Sequence, residues 1–100
     1  MTKAYVVITE AIHDEEGMRA YGAASAPTLR AHGATVLAVD ASPEVLEGAW
    51  HGSRTVVLEF ASAADARAWY ESPEYAAALK LRQQAAQSNA VLLHGFDPRR

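Results

Sequence analysis

A chain of 100 residues, 50% hydrophobic and 21% charged, has the composition of one globular domain with a single two-layer core. A net charge of −3, with no cluster of Lys and Arg before Arg99 and Arg100, argues against a nucleic-acid partner. With no Cys, the chain has no disulfide, thiolate nucleophile or Cys-based metal centre. Apolar runs such as Tyr5–Ile8 and Val91–Leu93 are too short to span a bilayer, and the opening MTKAYVVITEA has no signal-peptide core. The expectation is a cytoplasmic, soluble chain with residues 1–100 in one domain and no membrane partner.

Lys3–Glu10 alternates β-branched and aromatic residues and is predicted to be a strand. Tyr5, Val7 and Thr9 face one side, and Ala4, Val6 and Ile8 the other. Asp14 then suits an N-cap, with Glu15 and Glu16 at the positive end of the helix dipole. Met18, Tyr21, Ser25 and Leu29 recur at helical spacing, Pro27 is expected to kink this helix, and Gly33 to end it. Ala34–Asp40 is the second predicted strand. Ser42–Gly52, with one Pro and two Gly, is a long hairpin loop. Ser53–Ala61 is the third strand, with Arg54, Val56, Leu58 and Phe60 on one face and Thr55, Val57 and Glu59 on the other.

Ser62 caps the next helix, with Asp65 three residues on. Ser72-Pro73 restarts a helix, because proline at the first helical position loses no hydrogen bond. Tyr75, Ala78, Leu79, Arg82 and Ala86 continue it, and Asn89–Phe96 reads as the fourth strand. The order β-α-β-β-α-β makes an α+β fold: a ferredoxin-like four-stranded antiparallel sheet with its helices on one face. The bare face would carry Val57 and either Val6 and Ile8 or Tyr5 and Val7. So large an apolar patch predicts a homodimer with sheets packed face to face.

Several of these residues carry a resemblance. Glu47-Gly48, Arg54–Phe60, the run Ala68-Trp69-Tyr70-Glu71-Ser72-Pro73-Glu74-Tyr75 and Lys80-Leu81-Arg82 resemble the domain-of-unknown-function 1330 family, as do Tyr5, Tyr21, Gly33 and Gly95. Relatives often carry paired glycines where this chain has Gly33-Ala34. The resemblance implies the dimeric α/β-barrel superfamily and no established reaction. That superfamily includes cofactor-independent monooxygenases, lactone isomerases and haem-handling enzymes, and their chemistry reaches this chain only as analogy between folds.

Two groups of residues are candidates for chemistry. The loop before the third strand holds Glu47, Trp50, His51 and Arg54 between glycines that let backbone approach a ligand. His51 is the candidate general base, since imidazole titrates near neutrality. Trp50 otherwise simply covers the edge of the core. Arg54 needs an anionic partner, either internal (Glu47 or Asp40) or a ligand carboxylate or phenolate.

The second group sits on the helices. Trp69, Tyr70, Tyr75 and Arg82 are candidate ligand-binding residues round a cleft between sheet and helices. The plainer alternative makes the aromatics core and lets Arg82 reach water. Glu59, inside an apolar strand, is either an interface group paired with His94 or Thr55 or a catalytic carboxylate. The histidines lack zinc-motif spacing, and the chain has neither a phosphate-binding glycine loop nor a nucleophile elbow. No cofactor or metal is therefore expected. The functions predicted are a small-molecule-binding homodimer for an anionic or aromatic ligand, a cofactor-independent monooxygenase or isomerase, or a structural dimer.

Overall fold

The computed structural model describes residues 2–52 and 54–99. Four strands and three helices follow one another as β1 (Ala4–Ile12), α1 (Glu15–Ala31), β2 (Thr35–Asp40), β3 (Arg54–Phe60), α2 (Ala63–Tyr70), α3 (Pro73–Ala85) and β4 (Ala86–His94). The strands form one antiparallel sheet in the order β2-β3-β1-β4. The Cα atoms span 44 × 37 × 16 Å, and the short dimension is that of one sheet with one layer of helices. The class is α+β and ferredoxin-like, as the order of elements predicts.

The caps are local chemistry. The Asp14 carboxylate accepts from Gly17 N at 3.1 Å, Ser62 Oγ from Asp65 N at 3.1 Å and Ser72 Oγ from Tyr75 N at 3.1 Å. Each satisfies a backbone donor that the first helical turn leaves without a partner. Helix α1 runs unbroken through Pro27, and Gly33 follows it at φ 71°. The predicted start of β3 at Ser53 lies outside the described residues. Just before it, Gly52 has φ 61°, and a Cβ there would come within 2.6 Å of the Glu10 carbonyl carbon. Glycine is thus needed both for the backbone conformation and for the close approach to β1.

The last strand begins earlier than expected. Ala86 is in β4, immediately after the last residue of α3. Two backbone contacts hold the joint: the N–H groups of His13 and Asp14 both donate to Ala85 O, at 3.0 and 3.1 Å. The β1–β4 ladder then reaches back to Ile12 opposite Ala86. Pairing with β1 overrides the helical spacing of Ala86.

The helices cover the face bearing Ala4, Val6 and Ile8, none more than 4% exposed. With Leu58, Phe60, Met18, Ala66, Trp69, Tyr75, Ala78 and Ala85 they form one apolar core. The opposite face carries Tyr5 and Val7, with Val57, Val91 and Leu93 beside them in the ladder. Val91 and Leu93 are about half exposed, at 53% and 49%.

Candidate functional site

The period-two pattern of β1 places Glu10 on the core face with Ala4, Val6 and Ile8. The ladder sets Glu10 directly opposite Arg54. Its carboxylate Oε1 lies 3.1 Å from Arg54 Nε, with the carboxylate 1% exposed and the guanidinium 33% exposed. The contact lacks the alignment of a hydrogen bond, so it is an electrostatic pairing. Arg54 therefore has an internal partner, and it is Glu10, whereas the sequence pointed to Glu47 or Asp40.

Arg82 approaches the same carboxylate from α3. It is 3% exposed, so its head does not reach solvent, and among the described residues its Nε and Nη1 have no hydrogen-bond acceptor. The guanidinium carbon sits 5.8 Å from the centre of the Tyr21 ring, a cation–π contact. The Tyr21 and Tyr75 hydroxyls meet at 2.8 Å. Burial raises the Glu10 carboxyl above its ordinary 4.5, against the opposing pull of Arg54 and Arg82. Burial also raises both tyrosines above 10, so they are neutral phenols at physiological pH.

A cleft of about 170 Å³ opens onto this cluster between α1 and strands β2 and β3. Glu10, Arg54 and Tyr21 line its polar side, and Ile8, Val56 and Trp69 are among its apolar walls. The Trp69 ring is fully buried, and its indole N–H donates to Thr28 Oγ1 at 3.0 Å. The Trp69 and Tyr75 ring centroids lie 4.1 Å apart with their planes tilted by 39°, and Tyr75, fully buried, is not among the residues lining the cleft. A larger hollow of about 350 Å³ lies where α2 overhangs β4, lined by Val6, Ala66, Arg67, Tyr70, Glu71 and Leu92 among others. Its charged and phenolic lining residues, Arg67, Tyr70 and Glu71, are all exposed. The smaller cleft is the better candidate because a buried carboxylate faces it.

The remaining candidates lie elsewhere. Trp50 folds onto the open face of the sheet and donates to Thr55 Oγ1 at 2.8 Å. His51, beside it with rings 5.7 Å apart, is exposed. Glu59 is also on the open face, 3.4 Å from Lys3 Nζ. His94, a residue named as a possible partner of Glu59, is exposed. The candidate residues thus divide: Arg54 and Trp69 line the cleft, Tyr75 and Arg82 back it, Tyr70 borders the hollow, and Trp50, His51 and Glu59 belong to the open face and its loop. Sequence reasoning missed Glu10. Its shared parity with Val6 and Ile8 was the available signal, since a carboxylate on an apolar strand face needs a cationic partner. Among the described residues, no cluster of His, Asp and Glu could hold a metal ion, and no helix is long and apolar enough to cross a membrane.

The profile of a family described as a domain of unknown function (DUF1330) matches residues 3–96. The chain belongs to this family. No curated protein matches this DUF1330 chain. A crystal structure of a protein of unknown function from Rhodopseudomonas palustris is similar, with TM-score 0.78 and 22% identity over 97% of this chain and 85% of that one. SnoaB, a cofactor-independent oxygenase from Streptomyces nogalater, is similar at TM-score 0.70 and 12% identity, over 97% of this chain and 96% of SnoaB. A dimeric ferredoxin-like protein of unknown function from Thermobifida fusca is similar at TM-score 0.57 and 12% identity, over 93% of this chain and 91% of that one. At these identities the likeness is one of fold, and the fold is that of the DUF1330 chain described above.

Proposed function

We propose that this DUF1330 protein is a homodimeric small-molecule-binding protein whose ligand is a single-ring aromatic with an anionic or phenolic group. One observation carries the reading: a largely apolar cleft ends at a buried carboxylate flanked by two guanidiniums. Apolar walls with a few convergent polar groups are the usual form of a ligand site. A cleft of about 170 Å³ also suits one ring, since an apolar cavity of roughly 150 Å³ admits benzene. Arg54 meets the anionic group, and Trp69 with Ile8 and Val56 encloses the ring. The half-exposed apolar face around Val91 and Leu93 supports the dimer, as does the description of the Thermobifida fusca neighbour as dimeric.

A second reading, a cofactor-independent monooxygenase or isomerase, draws on the fold shared with SnoaB. His51 or Glu59 would abstract the proton in that reading, yet neither lines the cleft, so the observations favour binding. A purely structural dimer predicts a filled interior, which the cleft opposes.

Isothermal titration with benzoate tests the proposal. The expected result is saturable binding that weakens about tenfold or more in Arg54→Ala, the loss of one charge-assisted pairing. Absence of binding by benzoate and by phenol overturns it.

A further inference from the structure

The charges around the cleft do not balance. Glu10, held 3.1 Å from Arg54 Nε as an ion pair, counts as one negative charge, Arg54 and Arg82 supply two positive ones, and Tyr21 and Tyr75 are neutral. A fully buried arginine is ordinarily paired, because desolvating a guanidinium without an anion is costly. Arg82 is 3% exposed, and its Nε and Nη1 nevertheless have no acceptor among the described residues. Glu10, the carboxylate whose charge it senses, is already in contact with Arg54. The buried cluster is one anion short.

The two arginines are not equivalent. Arg54 lines the cleft and is one-third exposed. Arg82 is sealed behind the Tyr21 ring and is not among the cleft-lining residues. An entering anion therefore meets Arg54 first. Once it does, Glu10 loses its share of that guanidinium and stands beside a second negative charge. The unused donors of Arg82 are the compensation available to it.

Resting on the cleft reading above, we propose that the site selects monoanions, and that Arg82 is a positioning residue which holds Glu10 while Arg54 turns to the ligand. No proton or covalent bond changes hands in this exchange. The ligand's single charge brings the cluster to neutrality, whereas a dianion would overshoot it. Arg82 contributes to affinity without touching the ligand.

Charge bookkeeping in four proteins tests this. Benzoate affinity is measured by titration calorimetry at about pH 8, where free carboxylates are ionised, in wild type, Arg82→Met, Glu10→Gln and the double variant. The cluster charges before binding are then +1, 0, +2 and +1. Arg82→Met is expected to weaken benzoate binding about tenfold or more, and Glu10→Gln to tighten it by a similar factor. The double variant is expected to return to near the wild-type value. Uncharged benzamide, which fills the same walls, should not follow this order, and phthalate should bind wild type more weakly than benzoate does.

Benzoate binding that is the same in wild type and Arg82→Met overturns the proposal, as does a double variant that stays as weak as Arg82→Met. Should Arg82→Met not fold, Glu10→Gln decides: unchanged or weaker binding overturns the proposal. Benzamide following the same order would reduce the effect to altered cleft shape and also overturns it. Benzoate that fails to bind wild type overturns this inference, and if phenol fails to bind as well the cleft reading falls with it. Benzoate that binds wild type without the charge order sinks this inference alone.

Discussion

The hydroxyls of Tyr21 and Tyr75 join α1 to α3 at 2.8 Å, inside a core where the two residues are 7% and 0% exposed. Their rings meet edge-on, with centroids 6.3 Å apart and planes at 73°. Each hydroxyl is the other's partner, so neither can be removed alone without stranding a buried polar group. Replacing Tyr75 by Phe should destabilise the fold by about 1–3 kcal/mol, the cost of an unsatisfied buried hydroxyl. Removing both hydroxyls (Tyr21→Phe with Tyr75→Phe) should cost less than the sum of the single changes, since no orphan remains. Denaturant unfolding of the three variants measures the coupling, and strict additivity would contradict it.

Glu10 makes stability depend on pH in an unusual direction for a carboxylate beside arginine. Its folded value lies above 4.5 because burial outweighs the attraction of Arg54 and Arg82. The native chain therefore holds this proton more tightly than the unfolded chain. The contribution is complete below 4.5 and is lost as pH rises through the folded value. Relative to Glu10→Gln, a neutral isostere, wild-type stability should fall with rising pH, by at most about 1.4 kcal/mol per unit. Urea midpoints of the two proteins from acid to neutral pH measure the trend. A difference that grows in favour of wild type with rising pH would show that the ion pairs outweigh burial.

The proposed dimer has a direct test on the open face. Val7 stands between Val57 and Val91 in the ladder, in the middle of the uncovered side. Val7→Lys would place an ammonium at the centre of a sheet-to-sheet contact, where an unpaired buried charge is strongly unfavourable. Light scattering after gel filtration should show dimeric wild type and monomeric Val7→Lys. Monomeric wild type at micromolar concentration would remove the dimer.

Much of the fold was legible because its signals are local. Ser62, Ser72 with Pro73, and Asp14 announce helix starts through chemistry confined to four residues, and strand parity separated Val6 and Ile8 from Tyr5 and Val7. The candidate site was less legible, because its partners meet through register. Asp40 and Glu47 are nearer than Glu10 to Arg54 in the chain, yet only the antiparallel ladder, with Glu10 opposite Arg54, decides the pairing. Arg82 looked like a side chain that could reach water, because α3 alone does not reveal that Tyr21 of α1 closes over it. The α3–β4 boundary was obscure for another reason: Gln83–Asn89 contains no Gly or Pro to mark a stop.

That unmarked boundary leaves the molecule with no slack at one place. Ala85 ends a helix, Ala86 begins a strand, and the carbonyl between them already serves both His13 and Asp14. One added residue at this joint would rotate α3 by about 100° against β4, since a helix advances 3.6 residues per turn. Arg82, less than one turn upstream, would swing off Tyr21 and Glu10. The length of this splice thus governs the electrostatics of a cleft whose walls lie elsewhere in the chain.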